Sequence, residues 1–498
     1  MTREHVVPLL DGDNERDEQA EDGDDENEEH KRRRKIGLFS LTSATVVAVG
    51  CLGMIEYSMV MPSLAHYVRE LGQTNVFYGV CQAAFSLSRL IFMPVLGRWS
   101  DKRPMIEPFL FSIVLAAIGN ALYGLAFGLR TAWLILFARI LVGMGSANAT
   151  LTMSFVARIT EKETRTKAMA ILNGLNLIGV VLGPATNLLI TDVDFQLNSV
   201  MVFNGLTNPG WVMVVLLAGL VVLTLATFRE PPRLSETDVA YVSPSFAPPS
   251  ENSSPAVSLR RPSVISILSD ETTEPMLDTP MLHRQARASA LSVRGLVNNI
   301  IRHNLWMHFV ISFCGNFVIN ELDTALPALT EHDFGWDAIA NSYVYAGLGL
   351  AVALSLIVVI ATSRFVSDRS LIGTGLSFML TGVILSIAYC RHKPAMLMFV
   401  ICVFLQGCAA PIVGSPNMSL FSKRLEEDEN LAVNMGLYIG LLQGTNGLSR
   451  VVAPLYAGFA LLDLEDHLHV YIGPLIVVVL ALVVFCVNYD AVRERSLV

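Results

Sequence analysis

The chain has 498 residues, of which 52% are hydrophobic and 16% are charged, and its mean hydropathy is +0.50. These values exclude an ordinary water-soluble domain and predict a polytopic membrane protein. The net charge of -9 reflects mainly an acidic N-terminal run from Asp11 to Glu29, followed at once by basic residues at 31–35, a pattern typical of disordered, solvated tails.

Twelve apolar segments are long enough to cross a bilayer, since a hydrocarbon core of about 30 Å needs roughly 20 helical residues. The first six are Phe39–Leu64, Phe77–Trp99, Glu107–Phe127, Ala132–Ala157, Ala168–Ile190 and Trp211–Phe228. The second six are Leu305–Leu326, Ala338–Thr362, Leu371–Tyr389, Ala395–Ser419, Leu431–Leu461 and Tyr471–Val487. We therefore predict an all-α membrane protein with twelve transmembrane helices in two six-helix repeats.

The predicted organisation has two membrane bundles joined by a polar linker that is rich in proline and serine. Its parts are a disordered tail at 1–36, the first bundle at 37–229, the disordered linker at 230–303, the second bundle at 304–488 and a short tail at 489–498. Lysine and arginine concentrate in the loops on the side of both tails and the linker, which places that side in the cytosol by the positive-inside rule.

The two bundles resemble each other at a nearly constant offset. Glu56 precedes Pro62-Ser63-Leu64 by six residues, and Glu321 precedes Pro327-Ala328-Leu329 by six, an offset of 265 (321 minus 56). Ser100-Asp101-Lys102 recurs as Ser367-Asp368-Arg369 at an offset of 267 (367 minus 100). Two matches at almost one offset indicate an internal repeat, and parallel repeats around a midplane site are typical of secondary transporters.

The phrases that carry a family resemblance are Gly97-Arg98-Trp99-Ser100-Asp101-Lys102-Arg103-Pro104 with Glu107-Pro108, Ala138-Arg139 with Gly143-Met144-Gly145-Ser146-Ala147-Asn148, and Tyr57 with Met61-Pro62-Ser63-Leu64. The chain resembles the major facilitator superfamily and, within it, the lysosomal branch linked to neuronal ceroid lipofuscinosis. The resemblance implies a carrier in an endolysosomal membrane, with the plasma membrane or another organelle as the alternative.

The resemblance also implies a conformational-gating loop after the second span, formed by Gly97, Asp101 and Lys102, with Asp368 and Arg369 as its counterparts in the second repeat. The glycine permits close helix approach, and the acid can meet a helix N-terminus and nearby arginines. This chain departs from the family pattern at Pro104, where glycine is usual. The alternative interpretation is an ordinary charged turn.

Charged residues inside apolar spans are the candidates for substrate or proton coupling, because an unpaired charge in the bilayer is costly. Helix rise places Glu56 ~27 Å and Glu321 ~24 Å from the cytosolic side. Arg139 lies ~20 Å and Arg450 ~26 Å from that side, which makes Arg450 a candidate partner of Glu321. Proton coupling follows as a hypothesis, because a carboxylate that leaves water becomes easier to protonate. The alternative is that these residues only link neighbouring helices.

Other polar residues in the spans are candidates for the cavity lining, although such residues also serve as links between helices. They are Tyr57, Asn148, Asn173, Asn176 and Asn320. In the fifth span, Gly179, Gly183 and Pro184 resemble a helix-packing motif found in antiporters of the family, but Thr186-Asn187 replaces the double glycine that usually follows.

Two short motifs lie outside the predicted bundles. Ser263 follows Arg260-Arg261-Pro262 and is a candidate for phosphorylation. Near the N-terminus, Glu4 and Pro8-Leu9-Leu10 resemble an acidic dileucine signal, which predicts sorting adaptors as partners, although the acid is one residue too far from the leucines.

The sequence therefore predicts transport of a small molecule or ion by alternating access, with proton coupling as a hypothesis and the lipid bilayer as surroundings. A uniporter or an anion-conducting, chloride-type pore is the first alternative, and a non-transporting receptor or scaffold on the same fold is the second. We find no signature of an enzyme, a cofactor, a metal site or nucleic-acid binding.

Overall fold

The structure is a computed structural model that describes residues 40–160, 162–231, 293–363, 365–391, 396–428, 431, 435–462 and 468–489. Among these residues, the first half of the chain forms eight helices and one short hairpin. They are α1 (Leu41–Met59), α2 (Met61–Glu70), α3 (Asn75–Lys102), α4 (Ile106–Gly128), α5 (Ala132–Ser146), α6 (Ala149–Ile159), α7 (Lys162–Ile190), β1 (Phe195–Gln196), β2 (Val202–Phe203) and α8 (Asn208–Thr227). The two strands pair antiparallel, with Phe195 opposite Phe203.

The second half forms seven helices within the described residues. They are α9 (Val293–Arg302), α10 (Trp306–Phe334), α11 (Ala338–Thr362), α12 (Asp368–Arg391), α13 (Met396–Glu426), α14 (Met435–Ala460) and α15 (Leu468–Val487).

Ten segments among the described residues are long and apolar enough to cross a membrane, with α5 and α6 counted as one segment. Helices α7 and α14 stand where the fifth and eleventh spans are predicted. The segment Gly174–Ile190 of α7 is itself apolar. The predicted helical membrane fold is therefore confirmed, while the number twelve stays a prediction.

Three predicted segments differ from the structure. The first span is divided at Val60, next to Pro62 at the start of α2, where proline is well tolerated. The fourth span is divided between Ser146 and Ala149. The linker prediction extends too far, because residues 293–302 form α9, whose Leu296 and Ile300 pack on an apolar cluster that includes Leu305.

The two ends of the bundle can be told apart by their connections. At one end, where α1 begins and α8 leads into the linker, Thr42 Oγ1 donates a hydrogen bond to the carbonyl oxygen of Thr227 at 2.9 Å. We call this end the linker face. The other end, where α2 ends at Glu70 and α10 ends at Phe334, is the opposite face.

The two halves meet closely toward the opposite face. Asn75 Nδ2 donates to the carbonyl oxygen of Leu461 at 3.0 Å, and Asn187 Nδ2 donates to Ser342 Oγ at 2.9 Å. A Cβ atom added to Gly79 of α3 would lie 3.0 Å from Cα of Gly458 in α14. The helices approach this closely because both positions are glycine, and the contacts close the opposite face.

Candidate functional site

A polar pocket lies between the two halves, and we call it the central pocket. The empty space there is about 220 Å³, a value that includes the part open to the surroundings. The first half contributes Tyr57, Met61, Gln82 and Ser86, and the second half contributes Asn320, Asp323, Thr324, Arg450 and Pro454. A pocket with walls from both halves changes shape when the halves move relative to each other.

A second pocket lies within the first half, and we call it the N-half pocket; its empty space of about 230 Å³ includes the part open to the surroundings. Its lining consists of Gly50, Gly53, Met54, Arg89, Ser146, Asn148, Ala149 and Asn176. Met54 and Tyr57 are neighbours on one face of α1, and Ser86 and Arg89 are neighbours on one face of α3. The two pockets therefore lie about one helical turn apart along the same helices.

Helix periodicity explains which residues reach the central pocket. Asn320, Asp323 and Thr324 follow the i, i+3, i+4 spacing, so they share one face of α10. Glu321 is rotated by about 100° from Asn320 and is absent from the lining. The same argument separates Glu56 from Tyr57 on α1. Asp323 is a pocket residue that the sequence analysis missed, although the polar spacing on α10 was the available signal.

Glu56 and Arg139 are both buried in the first half and have neutral hydrogen-bond partners. Asn120 Nδ2 donates to Glu56 Oε1, and Arg139 Nη2 donates to Gln82 Oε1 at 2.7 Å. The Arg139 guanidinium also lies 4.3 Å from the centre of the Phe85 ring, a cation–π contact. Gln82 belongs to the central pocket, so Arg139 lies behind its wall and supports a lining residue.

The predicted pairing of Arg450 with Glu321 is wrong. Arg450 shares the central pocket with Asp323, whereas Glu321 is buried outside that lining and its Oε1 has no hydrogen-bond partner. The internal repeat drew attention to Glu321. The rotation of α10 about its axis instead brings Asp323, two residues later, to the pocket. The structure thus does not bring the four predicted coupling residues into one cavity.

The predicted cavity residues divide between the pockets. Tyr57 and Asn320 line the central pocket, and Asn148 and Asn176 line the N-half pocket. The side chain of Asn173, the candidate Ser263 and the N-terminal dileucine segment lie outside the described residues.

The loop residues of the two repeats make equivalent contacts on the linker face. Asp101 accepts from Arg158 Nη2 at 3.2 Å, and Asp368 accepts from Lys423 Nζ at 2.8 Å. The sequence separations are 57 and 55 residues. Asp101 lies at the end of α3 and its partner lies in α6, whereas Asp368 begins α12 and its partner lies in α13. Within each half, these ion pairs link two helices and stiffen the bundle as a unit.

The remaining loop residues have different surroundings. Gly97 lies near α6, and a Cβ atom there would meet Thr150 Cγ2 at 3.4 Å. Lys102 is exposed at the end of α3. Arg369 Nη1 donates to the carbonyl oxygen of Tyr489 at 3.2 Å, and its guanidinium stacks 3.9 Å from the centre of the Tyr489 ring.

The glycines of the predicted packing motif lie against the backbone of α1. A Cβ atom at Gly179 would lie 2.7 Å from the carbonyl oxygen of Cys51, and one at Gly183 would lie 2.7 Å from the amide nitrogen of Met59. Pro184 follows inside α7. Side chains at these glycines would separate α7 from α1, which forms part of both pocket walls.

A charged cluster on the opposite face connects the halves. His66 Nδ1 lies 3.2 Å from Glu331 Oε2, and Arg69 Nη2 contacts the same oxygen. The hydrogen bond with Glu331 raises the pKa of the His66 imidazole above its usual value, although burial opposes this effect. The His66 side chain is 43% exposed, so the electrostatic effect is screened by solvent.

Two bundles of apolar helices, with one polar pocket between them and one within the first, define an integral, multi-pass membrane protein. The family model described as Major Facilitator Superfamily matches residues 46–454, and the chain belongs to this superfamily. The predicted superfamily is therefore confirmed. The prediction that the chain is not an enzyme is supported by the same match, because members of the superfamily are transporters.

Curated relatives include an SPX domain-containing membrane protein of Oryza sativa subsp. indica, which is 25% identical over 415 residues and covers 81% of this chain. The chain spans only 57% of the length of that relative. Major facilitator superfamily domain-containing protein 8 of Xenopus laevis is 31% identical over 193 residues, which are 36% of this chain and 37% of that protein. This similarity agrees with the resemblance to the lysosomal branch.

Solved structures show the same fold. A bacterial homologue of the human lysosomal transporter Spinster, in an inward-facing and unoccupied conformation, has a TM-score of 0.65 at 13% identity and covers 92% of this chain and 100% of its own. A D-xylose-proton symporter has a TM-score of 0.63 at 15% identity, with coverage of 91% and 98%.

Proposed function

We propose that this protein moves a small solute across a membrane by alternating access of its two halves. The observation that carries the proposal is the central pocket, whose polar walls come from both halves beneath a closed opposite face. Separation of the halves at that face would open the pocket to the other side of the membrane. The fold neighbours that are described as transporters add support at the level of the fold.

Proton coupling is the second part of the proposal, and Asp323 is the carboxylate that the pocket geometry favours for it. It shares the central pocket with Arg450 and with the hydroxyl group of Tyr57, so a bound solute would alter its surroundings directly. Glu56 and Glu321 are buried outside the pocket linings and would act through the structure of the walls. A carboxylate whose surroundings change between two states can bind a proton in one and release it in the other.

The test is uptake of a panel of solutes into liposomes that contain the purified protein, with and without an imposed pH gradient. We expect saturable uptake and counterflow in the wild type. Asp323→Asn should remove most of the proton dependence while the protein remains folded, whereas Glu56→Gln, Glu321→Gln and Arg139→Gln should reduce uptake by weakening the walls. Unchanged proton dependence in all four variants would refute the coupling proposal and leave any flux to a uniport mechanism.

An anion-conducting pore is the alternative that one observation favours, because Arg89 and Arg450 both line the pockets. The closed opposite face favours a carrier over a pore that is open at both ends. Electrical recording from the same liposomes separates them, since a pore gives chloride currents that persist without a proton gradient and do not saturate as a carrier does. A receptor or scaffold would tolerate every pocket substitution without loss of function.

We place the protein in an endolysosomal membrane, with both termini in the cytosol and sorting adaptors bound to the N-terminal tail. The support is the resemblance to the lysosomal branch and the dileucine segment at Leu9-Leu10. Immunofluorescence of full-length protein and of a Leu9→Ala, Leu10→Ala variant tests this location. Redistribution of the variant to the cell surface is the expected result, and an unchanged pattern in both would contradict a role for this segment.

A further inference from the structure

The charge balance of the two pockets is unequal. Arg450 shares the central pocket with the carboxylate of Asp323, whereas the residues that line the N-half pocket together with Arg89 are all neutral. Within the described part of the chain, no hydrogen bond or ion pair joins the Arg89 guanidinium to another residue. An unpaired guanidinium beside an empty space inside a membrane bundle points to an anionic ligand.

The N-half pocket also contains an unpaired acceptor. Asn176 is only 9% exposed, and its Oδ1 atom has no hydrogen-bond partner. A buried carbonyl oxygen without a donor is costly, and a ligand that donates a hydrogen bond would remove that cost. The pocket therefore offers a cationic donor at Arg89 and a neutral acceptor at Asn176.

Two glycines of α1 border the N-half pocket beside these polar groups. Gly50 and Gly53 of α1 both line the N-half pocket, one turn apart. A Cβ atom at Gly50 would lie 2.9 Å from Asn176 Oδ1, and one at Gly53 would lie 3.7 Å from Asn148 Oδ1. Any larger residue at Gly50 would press against the unpaired oxygen. Glycine at these positions thus allows Asn176 and Asn148 to lie close to α1 at the edge of the pocket.

We propose that the N-half pocket binds a small oxyanion that also carries its own hydrogen-bond donor, such as a hydroxycarboxylate or a monoprotonated phosphate. The anionic oxygens accept from Arg89, the ligand's O–H donates to Asn176 Oδ1, and Ser146 and Asn148 supply further polar contacts. This inference rests on the proposed transport function and names its solute class. The site lies about one helical turn from the central pocket along α1 and α3.

A site with a cationic donor at Arg89 and a neutral acceptor at Asn176 favours a ligand that matches both groups, and three simpler classes of ligand do not. Chloride accepts hydrogen bonds but cannot donate one, so it would leave Asn176 Oδ1 unpaired. A cation would face Arg89 with no carboxylate among the lining residues. A neutral sugar would supply donors but would leave the guanidinium charge without compensation.

A matched pair of probes tests the proposal without any mutation. Glycolate and acetate have the same charge and nearly the same size, but only glycolate carries a hydroxyl donor. The measurement is ligand-induced thermal stabilisation of the purified full-length protein, titrated to give an apparent affinity. We expect glycolate to bind about tenfold more tightly than acetate, the effect of one buried hydrogen bond. Inorganic phosphate at mildly alkaline pH, where the monoprotonated form predominates, is the second arm and tests a phosphate ligand against the carboxylate.

Variants then assign the contacts. Arg89→Gln should weaken glycolate and acetate alike by about ten- to a hundredfold, the effect expected for a charge-assisted hydrogen bond. Asn176→Ala should abolish the preference for glycolate and leave acetate nearly unchanged. The matched control is Arg98→Gln, the same substitution on the same helix at an exposed position, which should change neither affinity.

The proposal is overturned if wild-type protein binds glycolate no better than acetate, if chloride stabilises the protein as well as glycolate, or if Arg89→Gln behaves like Arg98→Gln. The wild-type comparison decides the matter even where a variant fails to fold. Solute flux without oxyanion binding would refute this inference and leave the transport function intact. Binding that depends on Arg89 without any flux would refute the transport function and leave the site.

Discussion

Gly79→Val should shift the two halves apart on the opposite face. A Cβ atom at Gly79 would lie 3.0 Å from Cα and 3.2 Å from the amide nitrogen of Gly458, and it would also contact the carbonyl oxygen of Pro454. All three atoms belong to the backbone of α14 and cannot rotate away. The added methyl groups of valine therefore fit only if α3 and α14 separate.

The size of the effect follows from the cost of overpacking, which is typically about 1–3 kcal/mol for added groups in a well-packed contact. The cost falls mainly on the state with a closed opposite face, because these helices are in contact there. The ratio of open to closed molecules should therefore rise by about 5- to 150-fold.

Pulsed electron paramagnetic resonance measures this ratio. Spin labels at Thr74 and Leu462, two exposed positions on the opposite face that belong to different halves, report the distance across the closure. We expect the distribution to move to longer distances in Gly79→Val. The control is Gly219→Val in α8, where no atom lies within 4 Å of an added Cβ. If both variants keep the parental distribution, the contact does not hold the opposite face closed and the reasoning is refuted.

Two further predictions concern charged residues. The hydrogen bond with Glu331 raises the pKa of His66. Protonated His66 therefore stabilises the closed face fully at pH values below the ordinary histidine pKa. This contribution is lost as the pH rises through the raised pKa. The spin-label distances should therefore shift to longer values from mildly acid to mildly alkaline pH. The ratio of open to closed molecules should change by no more than about fivefold, because the pair is partly exposed to solvent. His66→Gln should show no such dependence. Asp368→Asn should lower the melting temperature, because the buried carboxylate accepts from Lys423 and its loss costs about 1–3 kcal/mol, whereas exposed Asp192→Asn should have no effect. Equal melting of the two aspartate variants would contradict a structural role for the ion pair.

The sequence alone identified the superfamily, from its motifs, and the apolar membrane segments that the structure also contains, because length and hydrophobicity are properties of each segment by itself. Equivalent loop residues were also recognisable, since Asp101 and Asp368 occur in repeated phrases. Their partners Arg158 and Lys423 became known only from the contacts between helices.

Only the tertiary structure decided which side chains reach the pockets. Glu321 and Asp323 are two residues apart on one apolar helix, and the repeat drew attention to Glu321, yet the pocket receives Asp323. The physical reason is that a helix in a bilayer is apolar toward lipid and also apolar where it packs, so hydrophobic periodicity fixes its rotation only weakly. Close contacts between helices set such rotations, as where Gly183 of α7 lies against α1. These contacts join residues that are far apart in the chain.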